Sequence, residues 1–293
     1  MINFNKVLNE FIAELEYIQG KSVNTIAAYK HDILLFGDYC ARMDVGFQFA
    51  EKRFADEYLR QRAKNTSVAT ATREHAALKK FYKFLVARDY AGSSPFTASI
   101  RHELGAPTLK PVEPLKLEDV QALLNAPNPS TIKGMRDRAI LAVLFATGCQ
   151  ISELSNLDIN DFSSRDASIF FHKSRRVGAH RVSPLYPQAV RQIESYLLAS
   201  RPKIYGANGN SLLFINMDGE RFSRQGLWKI IKNYSEKLGI ENVSPNNLRN
   251  TVIFEMMSWG ASAHEISDIL KIADEKTLSR FDDAIRAHMK SRL

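Results

Sequence analysis

The sequence predicts a mainly α-helical protein of two domains, with a small antiparallel β-sheet in the second. Apolar residues recur at helical spacing through residues 1–90, a proline-rich stretch breaks the pattern at 91–116, and helices resume over 117–293 around one pair of alternating segments. A chain of 293 residues is long enough for two separate cores.

Phe4, Val7, Leu8, Phe11, Ile12 and Leu15 form one face of a helix from Asn3 to Ile18, which Gly20 ends. A second helix starts around Ser22 to Thr25 and turns Ile26, Tyr29, Ile33, Leu34 and Phe36 inward, leaving Lys21, Lys30 and His31 outside. A third covers roughly Glu51 to Lys64. The fourth, about Ser67 to Tyr90, sets Arg73, Lys79, Lys80 and Lys83 among Phe81, Tyr82 and Phe84. Small hydroxyl and amide residues open the second and fourth helices, at ends whose unpaired amides and positive dipole suit phosphate. With a net charge of +8 and a pI near 9.4, the chain favours a polyanionic partner. Asn24, Thr25, Lys30, Thr70, Arg73, Lys79 and Lys80 are therefore candidate DNA contacts.

Residues 91–116 contain four prolines and little periodicity, and read as a linker. The second domain begins with a helix near Leu117 to Asn125. A longer one from Ile132 to Thr147 is apolar almost throughout and hence central; Gly148 breaks it. A short helix is expected over Cys149 to Asn156. Alternation over Ala167–His172 and His180–Leu185 predicts a β-hairpin with the basic turn KSRRVGA. Helices follow at about Pro187–Ala199 and Ser223–Leu238, with an apolar strand at Leu212–Asn216 between them.

Cys40 and Cys149 stand far apart, without metal-ligand spacing, and read as buried thiols of a reducing compartment; no metal or cofactor is expected. No run approaches the ~18 apolar residues of a membrane span, and the first residues lack signal-peptide architecture, so a cytoplasmic location without membrane contact is expected.

The stretch from Val243 to Asp283 organises the second domain. Ser244 and Pro245 open a helix, Gly260 closes it, and another begins near Ser262. Arg249, one turn inside, carries a guanidinium able to grip phosphate with two parallel hydrogen bonds.

The order of these landmarks resembles the tyrosine recombinase (phage integrase) family, with an Xer-type layout. The likeness rests on KSVNTIAAYKHDILLFGDYC and SVATATREHAALKKFYKFLV in the first domain, PVEPLKLEDVQALLNAP at the entry to the second, and RDRAILAVLFATGCQISELSNLDINDF within it. It implies a C-shaped clamp on duplex DNA, made of a helical core-binding domain (1–90) and a catalytic-type domain (117–293). It also implies cofactor-free phosphoryl transfer to a tyrosine, helped by two arginines, a lysine and two further donors.

At the positions these roles would occupy, the chain departs from the pattern. Gln150 stands for the first arginine, Lys173 or Arg176 for the lysine, Asn246 for a histidine, Ile272 for the other donor and Phe281 for the nucleophile; Arg249 keeps the second arginine. Tyr234, the last tyrosine, is not placed to substitute. These departures predict a protein that binds duplex DNA through Arg249, Lys173, Arg175, Arg176, Arg181 and the first domain without being an enzyme, beside an active recombinase or its own copies. The alternatives are an active recombinase with Phe introduced at 281 or its missing groups supplied by a partner, and a protein-interaction module. The segment Asp282–Leu293 is expected either to exchange with a neighbouring subunit or to fold back on its own domain.

Overall fold

A computed structural model of the chain describes residues 2–21, 23–96, 112–172, 180–241, 243–272 and 274–291. It divides into two compact units, Met1–Leu109 and Lys110–Leu293, a division that falls within the predicted linker.

The first unit is helical. Asn3 caps α1 (Phe4–Ala13) by accepting the Lys6 amide at 3.0 Å. A single π-turn over Glu14–Ile18 continues it to Gly20, where φ of +54° turns the chain. Next come α2 (Val23–Arg42), α3 (Lys52–Asn65) and α4 (Val68–Ala87), the last capped by Ser67. Their apolar faces meet in a core that includes Phe11, Ile33, Phe36, Leu59, Phe81 and Tyr82. The Phe36 ring sits 5.0 Å from Tyr58 and 5.3 Å from Phe96, in edge-on geometry. Two acids inside this core are neutralised. Glu74, fully buried, accepts from Tyr58 and from Arg62 Nε at 3.0 Å, and Asp32 is held by Arg73 at 2.7 Å.

In the second unit α5 (Leu117–Asn125) leads to α6 (Ile132–Thr147), which is buried on nearly every side and ends where Gly148 adopts φ +56°. The one-turn helix α7 (Ile151–Leu154) and a 3₁₀ turn (Ile159–Asp161) follow. The sheet has three antiparallel strands in the order β1 (Phe162–Ser163), β2 (Ser168–Phe171) and β3 (Arg181–Pro184), with Phe162 opposite Ile169 and Phe171 opposite Arg181. β2 and β3 match the predicted hairpin strands; its basic turn lies outside the described residues. Two residues of β1 carry too little alternation to be read from sequence. The predicted strand at Leu212–Asn216 is corrected: this segment makes only isolated bridges, Leu212 with Asp158 and Ile215 with Arg221. Its run of Leu213, Phe214 and Ile215 is apolar because it is buried in the core, not because it joins a ladder.

The remaining helices are α8 (Pro187–Ser195), continued by a π-turn over Tyr196–Ser200, then α9 (Arg224–Leu238), α10 (Pro245–Ser258), α11 (Ala263–Leu270) and, after a 3₁₀ turn (Glu275–Phe281), α12 (Asp282–Ser291). A second apolar cluster joins Val112, Ile253, Phe254, Ile266, Leu270, Leu278 and Phe281. α12 folds back on α10, with the His288 ring 5.4 Å from that of Phe254. Among the described residues no helix is long and apolar enough to cross a membrane.

Candidate functional site

An open cleft of about 820 Å³ runs through the second unit. It gathers residues from Gln150 to Leu157, then Asp161 and His172, then Arg224 at the start of α9, Asn246 and Arg249 on α10, Lys271 and Ile272, and the turn ending in Phe281. The cap of α10 sets the aim of this helix. Ser244 Oγ accepts the Asn247 amide at 3.2 Å, and Pro245 fills the first helical position, where no amide is needed. Arg249 thereby lies one turn inside, half-buried. Its guanidinium donates to the carbonyl of Gly148 and, at 3.3 Å, to that of Leu270. Burial lowers its pKa, an effect the nearby Glu153 carboxylate opposes.

Both acids that line the cleft are held by protein groups. Glu153 accepts the Gln150 amide at 2.7 Å and pairs with Arg181 at 3.2 Å. Asp161 accepts the Asp158 amide at 2.8 Å and pairs with the His172 imidazole. Arg224, Arg249, Lys271 and Arg280 line the cleft beside these two acids, so its cations outnumber them.

Six of the residues predicted from sequence need separate treatment. Gln150 is exposed, caps α7 through its capping box with Glu153 and lines the cleft. Asn246 lines it as well. Ile272 packs against the second apolar cluster at the cleft edge, and Phe281, 1% exposed, is part of both that cluster and the cleft lining. One of the expected DNA contacts, Arg181, is corrected. Arg181 is buried, stacked 4.0 Å above the Phe171 ring and spent on Glu153, so its guanidinium belongs to the interior. Arg73 donates Nε and Nη2 to Asp32, at 2.9 and 2.7 Å, while its side chain stays exposed.

Lys173, Arg175 and Arg176 lie outside the described residues. The other candidates belong to the first unit, whereas the cleft is built wholly from the second. Lys30 and Lys79 are exposed there, as is Asn24, and Thr25 is half-buried. Thr70 Oγ1 is 2.9 Å from Ser67 Oγ at the start of α4. Lys80 has its pKa lowered, first by burial and then by the charge of Lys21. Tyr234 donates to Asp137 at 3.0 Å inside the second unit, and burial pushes its phenol far up.

The structure also brings to the cleft four groups that sequence reasoning did not select: His172, Arg224, Lys271 and Arg280. Two carried a usable signal. Arg224 follows Ser223 at a helix start, and Arg280 directly precedes the aromatic at 281.

Residues 113–286 match the Phage integrase family, and residues 8–89 match the Phage integrase, N-terminal SAM-like domain. A tyrosine recombinase XerC of Herpetosiphon aurantiacus is 31% identical over 280 residues, covering 92% of this chain and 88% of that protein. A tyrosine recombinase XerD of Staphylococcus epidermidis is 26% identical over 292 residues, covering 98% and 96%. Among solved structures, the XerH site-specific recombinase bound to a palindromic difH substrate superimposes with a TM-score of 0.78 at 17% identity, over 96% of this chain and 83% of that one. The Tn1549 transposon integrase in complex with transposon right end DNA gives 0.76 at 15%, over 97% and 98%.

These relatives overturn one expectation. The reading of the chain as a non-enzyme rests on side-chain identity at a few positions, whereas proteins that match it along nearly its whole length are named tyrosine recombinases. Family pattern, relatives and a mainly helical fold with a small antiparallel sheet agree: the chain belongs to the phage integrase family and is an Xer-like tyrosine recombinase in sequence and fold.

Proposed function

We propose that the chain binds duplex DNA as a subunit of a site-specific recombination assembly, seating the sugar-phosphate backbone in the cleft of its second unit. One observation carries this reading: Glu153 is paired with Arg181 and Asp161 is hydrogen-bonded within the protein, while Arg224, Arg249, Lys271 and Arg280 line the cleft. A concave surface with positive charge in excess concentrates a polyanion and contacts phosphate oxygens without reading bases. The related XerH and Tn1549 integrase structures, which hold DNA, support it.

Residues 1–90 act in this reading as the helical core-binding domain, through Asn24, Thr25, Lys30, Thr70, Lys79 and Lys80; residues 91–116 link it to a catalytic-type domain over 117–293. The side chain of Phe281 has no oxygen, so the nucleophilic hydroxyl comes from another recombinase subunit on the same duplex. Lys173, Arg175 and Arg176 belong to the proposed DNA-binding set by sequence alone.

The test is retention on duplex DNA across a salt series, with Arg249→Ala as comparison. Affinity that falls steeply with salt, and further in the variant, is expected; salt-independent or absent retention refutes the reading. For the chemistry, Phe281→Tyr is incubated with a nicked duplex. A covalent protein–DNA adduct is expected from the variant; its absence shows that the cleft lacks more than the hydroxyl at 281.

A further inference from the structure

Arg280 closes the 3₁₀ turn Glu275–Phe281 and lines the same cleft as Arg249. Its carbonyl accepts the Val112 amide at 3.4 Å, which ties the turn down at the point where the side chain leaves it. The guanidinium carbon stands 5.5 Å from the centroid of the Phe281 ring. Its Nε–H is buried and has no hydrogen-bond partner among the described residues. A buried donor without an acceptor is costly, and in a native protein such a group calls for a ligand or another specific explanation.

The other residues of the cleft say what that ligand is. Arg249 is anchored through two carbonyls. Gln150, which lines the same cleft, has an uncharged amide, so the segment that opens α7 brings no cation there. Arg280 brings one from the far end of the domain's sequence. The Phe281 ring can support a guanidinium by cation–π contact without competing for its N–H groups, which leaves these for the oxygens of an anion.

We propose that Arg280 is a phosphate ligand of the cleft and forms with Arg249 the guanidinium pair that Gln150 leaves incomplete. This rests on the reading of the cleft as a site for duplex DNA phosphate. Through its planar fork, Arg280 holds a backbone phosphate that Gln150 cannot neutralise.

The experiment uses the full chain and a duplex that the chain itself selects from a random pool, with affinity measured between about 50 and 200 mM salt. Arg280→Gln is expected to weaken binding roughly tenfold and to flatten the slope of log K against log salt by about 0.9, the loss of one phosphate contact. In a Gln150→Arg background the same change is expected to cost less than about threefold, because a guanidinium at 150 takes over the phosphate and the two sites are coupled. Arg280→Leu, which keeps an apolar contact with Phe281, is run in parallel, and melting temperatures select the variant that keeps the fold. An equal cost in both backgrounds, or an unchanged slope, overturns the proposal and leaves Arg280 as a support for Phe281. Absence of salt-dependent binding by the unmodified chain overturns the phosphate reading as well, so the two failures are distinguishable.

Discussion

Arg181 holds Glu153 at 3.2 Å, with 2% of the arginine side chain and 13% of the glutamate exposed. The pair removes one negative charge from the cleft. Arg181→Ala strands that carboxylate in a largely buried site, and a loss of about 3–5 kcal/mol is expected on removing one partner of such a pair. Urea unfolding of the variant measures it. Duplex affinity should fall too, since an uncompensated Glu153 faces the DNA; a variant with native stability would show that Glu153 is solvated after all.

Phe281 is enclosed by Ile253, Phe254, Ile266, Leu270 and Leu278. Phe281→Ala is expected to cost about 3–5 kcal/mol through the cavity it opens, and Phe281→Leu less than about 1.5. Thermal melts of the two variants separate these values. Equal, small losses would mean that the cluster collapses to fill the space.

Gly148 ends α6 at φ +56° and offers its carbonyl to Arg249. Alanine there pays about 1–2 kcal/mol for the left-handed backbone, and its Cβ would stand 3.2 Å from Val252 Cγ1. Gly148→Ala should lower the melting temperature and weaken duplex binding by displacing the anchor of Arg249. Gly148→Asn, which tolerates this conformation better, should recover part of both.

The two free cysteines predict an alkaline limit to stability. Burial pushes the Cys40 thiol up to about 12 and the Cys149 thiol up to about 11, from an ordinary 9.0. A raised folded-state pKa means that the native state binds the proton more tightly. The stabilisation is therefore complete below pH 9 and is lost as pH rises through the folded values. For Cys149 the slope is about 1.4 kcal/mol per pH unit between 9 and 11. Unfolding free energies at pH 8, 9 and 10 check this, and Cys149→Ala should remove part of the decline.

The predicted helices Ile132–Thr147 and Ser223–Leu238 appear almost residue for residue, because a capping Thr131 or Ser223 and a terminal Gly148 or Gly239 are local features whose effect needs no distant partner. Arg249 was legible as a cleft residue for the same reason, being fixed one turn beyond the Ser244 cap. Arg181 was not. Its placement depends on Glu153, 28 residues earlier, and on Phe171 across the strand pair, and composition treats an internal and an external arginine alike.

Arg280 marks the same boundary from the other side. By itself the amino-acid sequence determined the two helical domains, the capped helix that carries Arg249, the hairpin strands and the family. Only the tertiary structure decided which charges cancel and which remain. That outcome is set by pairs distant in the chain, Arg73 with Asp32 and Arg181 with Glu153, whose electrostatic energy depends on separation in space and on exclusion of water.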